Sequence, residues 1–260
     1  MRVLIRRESI GKITLQETAK IAIITIERST KRNALTANMW SELARLGKIA
    51  EANPKNRVVI LRGRPGQFTA GSDINDFCNM SSDEANSAFA KMEEAIQTFE
   101  SLSLPVIGVI DGPAMGAGFI LSLACDIRIG TENTKMGIPV GCLGIRLAPS
   151  FVRRIVKFIG PSRTKELVYT GKIYNYLEAQ HLGLLNFVIE KNVKPKDFYL
   201  KLAQTISKQS LASLKAVKKS VELCEWKQDL PWNFVDPEDF HEGCLAFKEK
   251  RTPNFTKKNV

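Results

Sequence analysis

Three β-branched runs alternate with helical spacing along the first half of the chain, and that alternation restricts the fold more than any other feature. Ile21, Ile23, Ile24 and Ile26 in KIAIITIE form the first run, and Val58 to Leu61 in RVVILRG the second. Between them Met39, Leu43, Leu46 and Ile49 recur at helix periodicity, with Thr36 as the predicted N-cap and Asn53-Pro54 as the predicted stop. A second helical spacing runs from Asp83 to Glu100, with Phe89, Met92, Ile96 and Phe99 on one side, and leads into the strand-like PVIGVI. Strand, helix, strand, helix, strand predicts an α/β core with crossover connections.

From Ser150 the pattern turns helical. SFVRRIVKFIG, SRTKELVYTG and YLEAQHLG each close on a glycine suited to the left-handed residue that ends a helix. The last quarter reads as helical and basic, which divides the chain into a core over 1–195 and a C-terminal helical region over 196–260. With 260 residues, either one large domain or a domain with an appendage can bury a substantial core.

Composition narrows the function classes. The five cysteines are scattered and include no C-x-x-C pair, so neither a zinc nor a dithiol centre is expected, and a reducing compartment is the simplest setting. Only two histidines, His181 and His241, are present to build a metal site or a Ser-His-Asp triad, and no metal is expected. The apolar span from Leu104 to Cys125 is interrupted by Asp111, Pro105, Pro113 and four glycines, which predicts strand, turn and helix rather than a membrane span. MRVLIRRESIGK has too short an apolar run for a secretory leader, so a cytoplasmic location is expected. The 38 Lys and Arg against 27 Asp and Glu give a net charge of +11, which suits an anionic partner; without an RNP-type or zinc motif, nucleic acid is not the expected one.

Two small-residue turns, FTAGSD at 68–73 and GPAMGAG at 112–118, each follow a predicted strand. Such turns let backbone N–H groups approach a ligand, and two converging N–H groups make an oxyanion hole. The glycine spacing fits neither G-x-G-x-x-G nor a P-loop.

The chain resembles the enoyl-CoA hydratase/isomerase family, or crotonase superfamily, from about Ile21 to Phe255. The resemblance is carried in order by RNAL at 32–35, FTAGSDI at 68–74, PVIGVIDGPAMGAG at 105–118, CDIRIG at 125–130, GLLNFVI at 183–189 and EGCLAFKEKRTPNF at 242–255. It implies a spiral core of ββα units followed by a helical trimerisation region, hence a homotrimer or homohexamer. It further implies an acyl-CoA thioester substrate, with coenzyme A entering as part of that substrate and no permanently bound cofactor. Carried over by motif, the backbone N–H groups of Ser72 and Ala117 would hold the thioester oxygen. Ala70, Ser72, Asp73 and Ile74 of the first turn, with Lys31 and Arg32, would contact the coenzyme A thioester. Phe247 and Lys250 would reach a neighbouring subunit's ligand.

The chain departs from the family at the acid/base positions. The two hydratase glutamates correspond to Ile120 and Val140, and a third carboxylate position used by some relatives corresponds to Ala148. None can transfer a proton, so standard two-glutamate hydration is not expected. Cys142 and Arg146 remain as candidate catalytic groups, Arg146 because VGCLGIRLA should line an acyl pocket where a charge needs a carboxylate partner. Asp73 is expected to anchor its turn rather than to catalyse. Two alternatives stay open beside an isomerase or lyase: an acyl-CoA decarboxylase and a non-catalytic acyl-CoA binder.

Overall fold

A computed structural model describes residues 11–77, 80–141, 145–226 and 237–255. The chain starts as a hairpin of β1 (Lys12–Thr18) and β2 (Ile21–Glu27), antiparallel with Thr18 opposite Ile21 and reversed at Ala19, whose φ is +52°. Helix α1 (Ala37–Ala52) follows, capped by Thr36, whose side chain accepts from the Met39 N–H, and it ends at Asn53 as the sequence predicts. Its buried stripe is Met39, Trp40, Leu43, Ala44, Leu46, Gly47 and Ala50. Ile49, expected on that stripe, is 40% exposed, because a 3.6-residue repeat carries the buried face from Leu46 to Ala50.

Strand β3 (Val58–Gly63) pairs parallel with β2. After the short helix α2 (Ile74–Phe77), α3 (Ser82–Ser101) starts at a capping box in which Ser81 and Glu84 satisfy each other's backbone N–H. Then come β4 (Val106–Ile110), β5 (Pro113–Met115), the buried helix α4 (Ala117–Leu123), β6 (Ile127–Gly130) and β7 (Lys135–Gly137). Helix α5 (Pro149–Thr170) bends at Gly160-Pro161, and β8 (Ile173–Asn175), α6 (Tyr176–His181) and β9 (Phe187–Val188) complete the core strands. Gly160, Gly171 and Gly183, the three predicted closing glycines, all have positive φ.

The main sheet has the order β1-β2-β3-β4-β6-β9, parallel from β2 onward, and β5-β7-β8 form a second, smaller sheet. Strand residues divide by the two-residue repeat. Val59 and Leu61 join the core shared with α1, α3 and α4, while Val58 and Ile60 face α7 (Pro195–Ser207), which packs Tyr199 and Ala203 against them. Helix α7 opens the predicted C-terminal region yet covers the back of the sheet. Beyond it lie α8 (Leu211–Trp226) and α9 (Pro237–Glu249). Arg57 ties this end of the chain to the sheet, donating to the carbonyls of Gln209 (2.8 Å) and Phe255 (3.3 Å). Among the described residues no helix is long and apolar enough to cross a membrane.

Candidate active site

The two small-residue bends meet through backbone alone. Leu35 N–H donates to the Gly71 carbonyl (2.8 Å) and Asp73 N–H donates to the Leu35 carbonyl (2.9 Å). A parallel bridge of this kind uses the residues on either side of Ser72, so the N–H of Ser72 itself points away from Leu35. The second bend is held in the same way: Thr69 N–H donates to the Pro113 carbonyl and Met115 N–H to the Thr69 carbonyl, each at 3.1 Å. Gly71 has φ +91°, and a Cβ there would lie 2.6 Å from the Met115 carbonyl oxygen and 3.0 Å from the Ala117 nitrogen. Only glycine allows this approach.

Ala117 opens α4, where the first intrahelical bonds to the Gly116 carbonyl come from Phe119 and Ile120. Among the described residues, neither the Ser72 N–H nor the Ala117 N–H donates to an internal acceptor. Both residues are half-buried on the same wall, and Ala117 holds one of the opening helix N–H groups that ordinarily look outside the helix for an acceptor, so the two touching bends present a pair of donors to whatever enters between them.

Both residues line one cavity of about 150 Å³. Its wall is built from Phe77 of α2, Phe89 and Met92 of α3, Ile120 of α4, Phe151 of α5 and the chain joining β7 to α5. Phe77 and Phe89 pack with ring centroids 4.9 Å apart. Among the described lining residues there is no Asp, Glu, His, Lys, Arg, Cys or Tyr. Ile120 and Val140, at the expected glutamate positions, are both buried and both line it.

Of the residues singled out from sequence, Ala70, Ser72, Ile74 and Ala117 come together in this wall. Asp73 is 5% exposed and serves the bend: Oδ2 accepts from Arg28 Nη1 at 2.7 Å and Oδ1 from the Asn75 N–H at 3.1 Å. Burial pushes the Asp73 pKa up, but the Arg28 hydrogen bond, the Asn75 N–H and the charges of Arg28 and Lys31 outweigh it and leave the carboxyl below its ordinary range. Lys31 and Arg32 are exposed on the 3₁₀ turn beside this pair, with Arg32 left-handed at φ +51°.

Arg146 corrects an expectation. Ile145 and Leu147 line the cavity, whereas Arg146 between them is exposed and outside the wall. Alternation along this stretch sends every second side chain outward, so Arg146 avoids the desolvation that would have demanded a carboxylate partner. Cys142 lies outside the described residues, as does the side chain of Phe247. Lys250 is exposed just past α9. Ala148 is exposed as the N-cap of α5. Three further glutamates are engaged in ion pairs away from the wall: Glu93 with Arg154 (3.0 Å), Glu94 with Lys48 (2.7 Å) and Glu132 with Lys191 (4.0 Å). Among the described residues no group of three or more His, Cys, Asp or Glu could hold a metal ion.

Trp40 was not singled out by the sequence reading. Its indole Nε1 donates to Ser72 Oγ at 3.0 Å. The only local signal is a tryptophan set beside the apolar stripe of α1, and the pairing spans 32 residues, beyond the reach of periodicity.

Solved structures share this architecture. An enoyl-CoA hydratase/carnithine racemase from Magnetospirillum magneticum superimposes with a TM-score of 0.89 at 28% identity, covering 95% of this chain and 97% of that one. An enoyl-CoA hydratase from Bacillus anthracis gives 0.85 at 28% identity, covering 94% and 98%. Fold and site thus define a protein of the crotonase class. The profile of the enoyl-CoA hydratase/isomerase family matches residues 16–258, and the mitochondrial methylglutaconyl-CoA hydratase of Homo sapiens is 31% identical over 92% of this chain and 75% of its own length. The chain belongs to the enoyl-CoA hydratase/isomerase family.

Proposed function

We propose that the protein binds an acyl-CoA thioester with the thioester oxygen on the Ser72 and Ala117 N–H groups and the acyl chain in the apolar cavity. The observation carrying this reading is the pair of amides without internal acceptors on one cavity wall. When an enolate forms next to a thioester, negative charge develops on that oxygen, and removing one such fixed donor typically costs about 3 kcal/mol of transition-state stabilisation. Lys31 and Arg32, exposed beside the first bend, suit the coenzyme's phosphates. A trimer or hexamer would bring Phe247 and Lys250 to a neighbouring site. Exposed Val217, Val221, Phe240 and Leu245 on α8 and α9 support such an assembly.

The reaction in this reading is not two-carboxylate water addition, since Ile120 and Val140 offer no proton-transfer group. A wall with no titratable described residue favours decarboxylation as a second reading. There the C–C bond to the departing carboxylate supplies the enolate's electron pair, carbon dioxide leaves, and water protonates the α-carbon. Turnover of crotonyl-, 3-enoyl- and malonyl-type thioesters, measured beside calorimetric binding, tests this. Acceleration with the malonyl type alone selects decarboxylation. Tight binding with no turnover of any substrate sinks the catalytic reading, and sedimentation velocity decides the assembly.

A further inference from the structure

Ser72 Oγ is the only side-chain hydroxyl, amide or ionisable group among the described residues of the cavity wall. Two buried partners hold it: Trp40 Nε1 donates to it at 3.0 Å, and it donates to Met92 Sδ at 3.3 Å. Trp40 is 1% exposed and Met92 2%, while Ser72 between them is half-buried at the cavity wall. Trp40 lies behind the wall on α1, whereas Ser72 and Met92 are part of it. An indole N–H can only donate, which occupies an Oγ lone pair and commits the hydroxyl proton to donation elsewhere. The acceptor it now has is a thioether sulfur, a weak one. A half-buried donor so poorly matched gains when an oxygen replaces the sulfur as its acceptor.

We infer that the Ser72 hydroxyl is a specificity-determining donor for an acyl group carrying an acceptor oxygen close to the thioester, and that Trp40 is the positioning residue that fixes this donor. The inference rests on the acyl-CoA reading above and narrows its substrate class. An alkyl chain leaves the hydroxyl on Met92, whereas a chain with an ether, carbonyl or hydroxyl oxygen in reach draws it into the cavity. Apolar walls discriminate weakly between chains of equal size. A committed hydrogen-bond donor discriminates by whether its acceptor arrives.

The test uses the full chain and two probes of equal length, butyryl-CoA and methoxyacetyl-CoA, which differ by an ether oxygen in place of one methylene. Calorimetry gives the ratio of their dissociation constants for the wild type and for Ser72→Ala, Trp40→Phe and Met92→Leu. The preference for the ether is expected to fall about tenfold in Ser72→Ala and part of the way in Trp40→Phe, as befits loss of one hydrogen bond. In Met92→Leu, where the competing sulfur is gone, it is expected to hold or rise. An unchanged ratio in Ser72→Ala overturns the inference while leaving acyl-CoA binding intact. If Ser72→Ala does not fold by circular dichroism, a ratio unchanged in Trp40→Phe and lowered in Met92→Leu overturns it instead. Failure of both probes to bind the wild type defeats the acyl-CoA reading itself, and this inference with it.

Discussion

Asp73 Oδ2 lies 2.7 Å from Arg28 Nη1, and this ion pair, with side chains 6% and 14% exposed, closes the bend that presents Ser72. Arg28 also donates to the Ala34 carbonyl at 3.0 Å, so one guanidinium ties the strand-to-helix turn to the glycine bend. Asp73→Asn leaves a largely buried guanidinium without its counter-charge and is expected to cost roughly 3 kcal/mol at pH 7. The Asp73 pKa is depressed in the fold, so its contribution is present above the unfolded value of about 3.9 and is lost as pH falls through the folded value. Urea melts of both proteins should therefore converge on the acid side of pH 4, as an order-of-magnitude boundary. A gap that persists undiminished in acid contradicts the ion-pair account.

Gly71→Ala tests the contact between the two bends. A methyl group at φ +91°, 2.6 Å from the Met115 carbonyl oxygen, forces the bends apart. We expect a destabilisation of at least about 2 kcal/mol, from the left-handed backbone strain and the steric overlap together. Acyl-CoA affinity should fall by more than the loss of folded protein explains. Wild-type affinity in the folded fraction would show that the spacing of the bends is immaterial.

Ile120→Glu introduces a carboxylate at one expected hydratase position, inside a wall with no described partner for it. Ile120 is 0% exposed, so desolvation raises the folded pKa of the introduced acid above its unfolded value. The sign is then opposite to that of Asp73. The electrostatic penalty is absent below the unfolded pKa and grows as pH rises, so the variant should lose several kcal/mol relative to wild type at pH 8 and less at pH 4. Thermal melts across that range check the slope.

Arg154, 5% exposed on α5, joins Glu93 (3.0 Å) and Glu100 (2.7 Å) of α3. The two carboxylates are more exposed than the guanidinium, which sets an asymmetry. Removing both acids by Glu93→Gln with Glu100→Gln strands a buried cation and is expected to cost about 3 to 5 kcal/mol, whereas Arg154→Met leaves two partly hydrated carboxylates and costs less. Equal losses in chemical denaturation would refute this ordering.

Burial pushes the Cys125 thiol up to about 12, against the opposing pull of the Arg128 guanidinium. It should resist iodoacetamide at pH 8 in the native protein and react once urea unfolds the chain, as peptide mapping by mass spectrometry would record. Native-state labelling at Cys125 would place it nearer solvent than the fold does.

What could be read from the sequence divides along physical lines. The glycine bends, the Thr36 cap and the closing Gly160, Gly171 and Gly183 are local constraints, each written within a few residues. Ile120 and Val140 were placed at the site by the family resemblance alone, which maps them onto the two hydratase glutamate positions, and both do line the cavity. Arg146 was misplaced because an apolar neighbourhood in sequence does not say which side of an irregular segment a residue faces. The Trp40 to Ser72 bond and the Arg154 bridge to α3 stayed hidden for another reason. They join residues 32 and about 60 positions apart, and only packing decides which partners meet.

The contact between Gly71 and the Ala117 segment involves no side chain on either partner. Its dimensions are therefore inherited from peptide geometry and are indifferent to what surrounds them. A wall raised around such a clamp can be lined with hydrocarbon, as Ile120 and Val140 line it here, without moving the two bends that grip one another.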